Sequence, residues 1–396
     1  MQYRKDRYGT ELSSLGYGCM RFTQKGGRID IDKTEKEILR AIELGVNYFD
    51  TAYIYSGSEA ALGEILSRNN VREKVHIATK LPQYLITNSK SIDKYFNEQK
   101  SRLRTDYIDY YLMHMLTDVE AWNKLVSLGI RDWIDEKKKS GEIKNIGFSF
   151  HGDTEMFLKV LEAYDWDFCQ IQYNYLDEVS QAGRRGLEAA QAKGIPVIIM
   201  EPLRGGKLVE LLPAEAKKRI AENKRGYSAA EWAFRWLYDQ SGVTVVLSGM
   251  NSIPMVEENC KIAADCPPGS LTPEDKEFIG SIKAMVNEKT KVGCTGCRYC
   301  MPCPKNVDIP SIFSCYNHIY TESRQGARWE YMQTVAFRKE PAHASQCVEC
   351  GKCEQHCPQH IEIRKMLKEA DRELRPWYYK VFAAVARKVT LFRGGR

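Results

Sequence analysis

Residues 1–288 alternate two hydrophobic periods. Short apolar, β-branched or aromatic runs recur at Leu15–Cys19, Val46–Asp50, Val75–Thr79, Ile108–Met113, Asn145–Ser149, Phe168–Gln172, Pro196–Glu201 and Thr244–Ser248. Between them lie longer segments with apolar positions three and four apart: Lys33–Leu44, Glu59–Ser67, Ile92–Leu103, Ala121–Lys139, Thr154–Tyr164 and Ala229–Tyr238. The first period suits buried strands and the second amphipathic helices. Eight strands alternating with helices over this length predict an α/β fold, a (β/α)8 TIM barrel. An open doubly wound sheet would ordinarily carry a Gly-rich fingerprint after its first strand. Gly16-Tyr-Gly18-Cys-Met-Arg21 lacks the third glycine.

Composition separates a second region. Residues 289–396 hold 19 Lys and Arg against 10 Asp and Glu, whereas residues 1–288 hold 39 against 42. The break gives three segments: a barrel over 1–288, a small domain over 289–375 and a basic amphipathic tail over 376–396. The first residues have no apolar core for a signal peptide, and no run reaches the ~18 apolar residues of a spanning helix. The expected location is the cytoplasm. Thirteen cysteines in a reducing compartment point to metal or redox chemistry rather than disulfides.

Cys19, Cys169, Cys260, Cys266 and Cys315 are scattered singly and read as small buried hydrophobes. The other eight form two arrays. Cys294, Cys297, Cys300 and Cys303 are spaced C-x2-C-x2-C-x2-C; Cys347, Cys350, Cys353 and Cys357 are spaced C-x2-C-x2-C-x3-C; a proline follows each array. The second array matches the bacterial ferredoxin run, whose last cysteine serves the other cluster of a pair. That logic places Cys294, Cys297, Cys300 and Cys357 on one 4Fe-4S cluster, and Cys347, Cys350, Cys353 and Cys303 on the other. Zinc, which also uses C-x2-C pairs, is the competing ligand. The short Cys300–Cys303 gap leaves a single cluster open. The arrays stand too far apart for a compact β-ferredoxin. With helix-compatible stretches at Ile312–Tyr320 and Ile361–Glu373, the region resembles an all-helical ferredoxin domain.

Barrel chemistry sits at the C-terminal ends of strands. Those ends offer Asp50, with Tyr55 five residues on, then Lys80, then His114. Alone, each has an ordinary reading as cap, rim aromatic, solvated charge or core histidine. Together, on successive strands, they form a candidate catalytic group. Gly45-Val-Asn-Tyr-Phe-Asp-Thr-Ala-Tyr-Ile-Tyr55 resembles the aldo-keto reductase signature, and so do the surroundings of Lys80 and His114. Gly147-Phe-Ser149, Gln170-Ile-Gln-Tyr-Asn174 and Pro202-Leu-Arg-Gly-Gly206 fit the same family. The whole chain is similar to the subgroup with a C-terminal ferredoxin-like domain.

The resemblance implies a carbonyl or alcohol oxidoreductase. Tyr55 would be general acid or base, its pKa lowered by Lys80, with Asp50 holding Lys80 and His114 orienting the carbonyl. It implies Ser149 and Gln170 on the carboxamide of a nicotinamide cofactor, with Tyr173 stacked on its ring. The Leu203–Leu208 loop, with Gly205 and Gly206, would lie along the pyrophosphate. Gly249, Ser252, Glu258 and Asn259 would line the adenosine end. Met255 and Gly249 stand where many members carry the cations that grip a 2′-phosphate, so both NADP and NAD remain open. A flavin would convert two-electron to one-electron transfer, but no flavin fingerprint is present. Met20, Arg21, Tyr53, Met115 and His151 are candidate substrate-lining residues. The basic region suits an acidic electron carrier, a ferredoxin or flavodoxin. The tail, with Val381, Phe382, Val385, Val389 and Phe392 at nearly helical spacing, suits a packed helix or peripheral membrane contact. Nucleic acid is not an expected partner. Two other readings follow from the same residues: a redox-sensing or scaffold barrel with an electron-transfer docking domain, or clusters that only brace the fold.

Overall fold

The computed structural model describes residues 1–379 other than 153, 180, 211, 295, 297–299, 322, 337–341 and 358. Eight parallel strands close into a barrel in chain order: β1 Leu15–Gly18, β2 Tyr48–Asp50, β3 His76–Leu81, β4 Ile108–Leu116, β5 Ile143–Phe150, β6 Phe168–Gln172, β7 Val197–Met200 and β8 Val243–Ser248. All eight fall on the runs read from the sequence. Alternate residues divide between two cores. Tyr48, Ala78, Tyr110, Leu112, Phe168, Ile198, Val245 and Leu247 fill the barrel. Their neighbours, such as Phe49, Ile77, Tyr111, Cys169 and Ile199, face the surrounding helices. At Gly16 a Cβ would stand 2.7 Å from Leu247 and Val245, so glycine there lets the interior side chains close over β1.

An antiparallel hairpin, Tyr3–Lys5 with Glu11–Ser13, precedes the barrel and sends Leu12 into the interior cluster. The helix expected over Ala121–Lys139 is instead two helices, Val119–Ser127 and Ile130–Lys139. Gly129 between them takes a left-handed conformation (φ 84°), which ends the first helix and lets Trp133 and Ile134 of the second turn inward.

The chain divides into two compact units, residues 1–205 with 227–277, and residues 206–226 with 278–396. The second is helical. Ile309–Thr321, Arg324–Tyr331 and Ile363–Leu374 surround a core of its own that includes Ile312, Phe313, Tyr331, Leu367 and Leu374. Among the described residues, no helix is long and apolar enough to cross a membrane. Cys297 and the apolar tail positions Val381 to Phe392 lie outside the described residues.

Candidate active site

β2, β3 and β4 deliver Asp50, Lys80 and His114 to one end of the barrel, and the turn after β2 brings Tyr55 to them. Lys80 is buried, yet its Nζ donates to Asp50 Oδ1 at 2.6 Å and to the Thr51 carbonyl at 2.7 Å. Burial alone would lower the lysine pKa; Asp50 and the Tyr55 hydroxyl more than offset it, and the net shift is upward. The same Nζ lies 5.3 Å from the centroid of the Tyr55 ring. Tyr55 and His114 stand edge to face, with centroids 6.4 Å apart. Burial pushes the Tyr55 hydroxyl above its ordinary pKa, and Lys80 opposes that shift without reversing it. Lys80 thus acts in the direction expected of it, and in this cavity desolvation outweighs it. His114 is held neutral, its pKa pushed down to about 3 by burial and then by Lys80 and His151. Its Nδ1 has no hydrogen-bond partner among the described residues.

The residues assigned to the cofactor divide into several placements. Gln170 is buried beside the group, but its Nε2 donates to Asp50 Oδ2 at 2.8 Å. Both carboxylate oxygens of Asp50 are thus taken. Ser149 Oγ accepts from the Met115 N–H at 2.9 Å, tying β5 to the strained end of β4, where Met115 has φ 57°. Tyr173 is fully buried on the outer face, its ring 5.1 Å from that of Trp236. It does not reach the barrel mouth, and the stacking role read for it is corrected. The parity of β6 explains this: Phe168 is interior, whereas Cys169, Ile171 and Tyr173 belong to the outer core. Met200 at the end of β7 packs against the interior cluster, and the sequence reading did not single it out.

Leu203 and Gly205 follow β7, with Gly205 at φ 70°; Gly206, at φ 97°, begins the second unit. Gly249 follows β8. Ser252 caps the helix Ile253–Ala264, its Oγ accepting from Met255 N–H at 3.4 Å. Asn259 on that helix donates to Ser248 Oγ at 3.0 Å, and Glu258 accepts from Ser228 Oγ at 3.4 Å. Two further features were not foreseen. Tyr84, on the turn after β3, sets its ring 6.3 Å from His114. Asp177 gathers Gln172, Asn174 and Arg204 within 3.0 Å. Gln172, Asn174 and Arg204 lie within the segments read from the sequence, but Asp177 and Tyr84 stand outside them and no motif marks either.

In the second unit Cys300, Cys303, Cys347, Cys350 and Cys353 border one cavity of about 270 Å³, walled by Val307, Ile309 and Leu367 and rimmed by Lys305, Lys352 and Arg364. The Glu349 N–H donates to Cys347 Sγ at 3.4 Å. Thiols ringing an apolar cavity, with an amide aimed at sulfur, suit the donor chemistry of an iron–sulfur cluster. Among the described residues, no three His, Cys, Asp or Glu side chains gather tightly enough for a single ion. Cys19, Cys169, Cys260, Cys266 and Cys315 are all buried, and burial raises every one of these thiols.

Residues 14–267 match the sequence model of the Aldo/keto reductase family, and residues 293–362 match that of a 4Fe-4S dicluster domain. The L-galactose dehydrogenase of Arabidopsis thaliana is 27% identical over 300 residues, covering 70% of this chain and 92% of its own. The methylglyoxal reductase YeaE of Escherichia coli is 28% identical over 246 residues, 58% of this chain and 79% of that one. An aldo-keto reductase of Bacillus halodurans in its holo form has the same fold, with TM-score 0.59 at 24% identity over 71% of this chain and 96% of that one. So does one from Klebsiella pneumoniae solved with NADPH, with TM-score 0.58 at 20% identity over 72% and 96%.

Proposed function

The chain belongs to the aldo-keto reductase family, and from that premise we propose a nicotinamide-dependent interconversion of small carbonyl compounds and alcohols, with Tyr55 as general acid or base. The observation that carries the reading is the Lys80 ammonium, buried between Asp50 and the Thr51 carbonyl beneath the Tyr55 ring.

A nicotinamide cofactor, NADPH or NADH, would supply hydride to the carbonyl carbon. Gly205 and Gly249, which present no side chain, together with Ser252 and Asn259, are the residues that would hold it. The oxygen must then gain a proton. Tyr55 keeps its proton at neutral pH, since the ordinary tyrosine pKa of about 10 already lies well above 7 and burial raises it further, so it is loaded as a donor. Once the proton leaves, the fixed ammonium of Lys80 stabilises the tyrosinate, which costs no reorganisation because Asp50 already holds the lysine in place. Neutral His114 orients the carbonyl by a hydrogen bond to its oxygen. Tyr53 is a poorer candidate acid, since its hydroxyl donates to Glu98 at 3.1 Å and its ring lies under Arg102. The reductase and dehydrogenase names of the relatives agree in reaction class.

The thiol-lined cavity and the dicluster match support 4Fe-4S clusters as a one-electron relay linked to the barrel, with an acidic ferredoxin or flavodoxin as carrier. Tyr55→Phe tests the acid–base assignment: carbonyl reduction should fall about 10²- to 10⁴-fold while cofactor affinity is kept. Undiminished turnover would remove Tyr55 from the role.

A further inference from the structure

Arg21 closes the short 3₁₀ turn Cys19–Arg21 at the end of β1. Its side chain runs over two glycines on different strand-end loops. Nη1 donates to the Gly205 carbonyl at 3.2 Å. A Cβ at Gly205 would stand 2.9 Å from Nη2, and one at Gly249 would stand 3.1 Å from Cδ and 3.2 Å from Cβ of the arginine. The two glycines therefore leave open the track that Arg21 follows, between the loop after β7 and the loop after β8.

Among the described residues its charge has no carboxylate beside it, which it shares with Arg4 and Arg131, both held on backbone carbonyls. Arg40, Arg68, Arg72 and Arg102 each lie on a carboxylate. So does Arg204, whose Nε is 3.0 Å from Asp177. Arg21 has no acidic partner among the described residues, and it is exposed. A single carbonyl uses one of five N–H donors. The loop below it is already fixed by Arg204 and by two consecutive left-handed glycines, Gly205 and Gly206, so Arg21 is not needed to shape it. A planar guanidinium with free donors and no counter-charge is suited to an anion with paired oxygens.

We propose that Arg21 binds the diphosphate of the dinucleotide cofactor, lying across it from the β1 side while the loop after β7 supports it from the other. The assignment rests on the nicotinamide reading of the barrel. It moves Arg21 from the substrate-lining set to the cofactor. Because diphosphate is common to both dinucleotides, Arg21 contributes equally to NADPH and NADH.

The test is titration of the full-length, cluster-loaded protein with NADPH, NADH and ADP-ribose, which keeps the diphosphate and lacks the nicotinamide. Arg21→Ala should weaken all three by about tenfold or more, as expected for lost charge-assisted hydrogen bonds, and Arg21→Lys should weaken them less. Gly249→Ala, which displaces the arginine stem, should weaken them in the same direction. Circular dichroism and iron content matching wild type establish that the variants are folded. Unchanged affinities in Arg21→Ala would overturn the proposal, as would a raised KM for the carbonyl substrate with intact cofactor binding. If wild type itself binds none of the three, the nicotinamide reading fails instead.

Discussion

His114 is a buried group whose ionisation the fold resists. Within the folded chain it stays neutral down to about pH 3, whereas its ordinary value is 6.5. Between these values the unfolded chain binds a proton that the folded chain refuses, so stability is full above pH 6.5 and is lost as pH falls toward 3. From pH 7 to pH 5 this one residue should remove roughly 2 kcal/mol. His114→Gln cannot titrate, and its urea unfolding should lose about that much less over the same interval. Parallel pH dependences in wild type and variant would refute the shift. Asp50, Lys80 and His114 were legible because strand ends fix their direction. The partner of Gln170 was not, since a buried amide turns to whichever charged oxygen is left open, and here that is Asp50 Oδ2. Tyr173 could have been read correctly from parity: it lies an odd number of positions from interior Phe168.

The barrel strands were legible because both faces of each are buried, which leaves short apolar runs that helices of this protein do not imitate. Elements too short or too polar to show a period, such as Tyr3–Lys5 and Glu11–Ser13, leave no such signal in the sequence. The Gly129 break leaves none either, since the apolar positions on either side continue nearly in phase. A closer helix contact hides at another glycine. Helix Ser58–Arg68 meets helix Ser89–Leu103 at Gly63, where a Cβ would stand 2.4 Å from the Arg102 carbonyl oxygen and 2.5 Å from the Leu103 carbonyl carbon. Both obstacles are backbone and cannot rotate away. The same contact carries the Arg102 to Glu59 ion pair at 3.1 Å, with Arg102 also donating to the Tyr53 carbonyl in the turn that presents Tyr55. Gly63→Ala should therefore cost about 2–3 kcal/mol in denaturant unfolding and lower turnover through the displaced turn. A variant as stable as wild type would show that the helices separate freely.

At the scale of the whole molecule, the cores of the barrel and the core of the second unit serve two different kinds of chemistry. The barrel core is large and positions its site by packing. The second unit has a smaller core, and Cys294, Cys300, Cys303, Cys347, Cys353 and Cys357 pack against it as half-buried thiols, so metal ligation there is also folding energy. No pattern along the chain shows that residues 206–226, interposed between β7 and the next barrel helix, cluster with this unit; only the tertiary contacts do, including Lys207 at 3.7 Å from Glu330. The cysteine spacing, by contrast, was informative, because ligand geometry is written locally. Its crossed pairing would place Cys303 with Cys347, Cys350 and Cys353; these four border one cavity, but so does Cys300, which the pairing gives to the other cluster. Two clusters so arranged require about eight irons and eight sulfides per chain in protein purified without oxygen. Cys347→Ala should then fall to about four of each while the barrel keeps its far-ultraviolet spectrum, because only one cluster loses a ligand. A wild-type content of about four, lost entirely in Cys347→Ala, would mean instead that both arrays close around a single cluster.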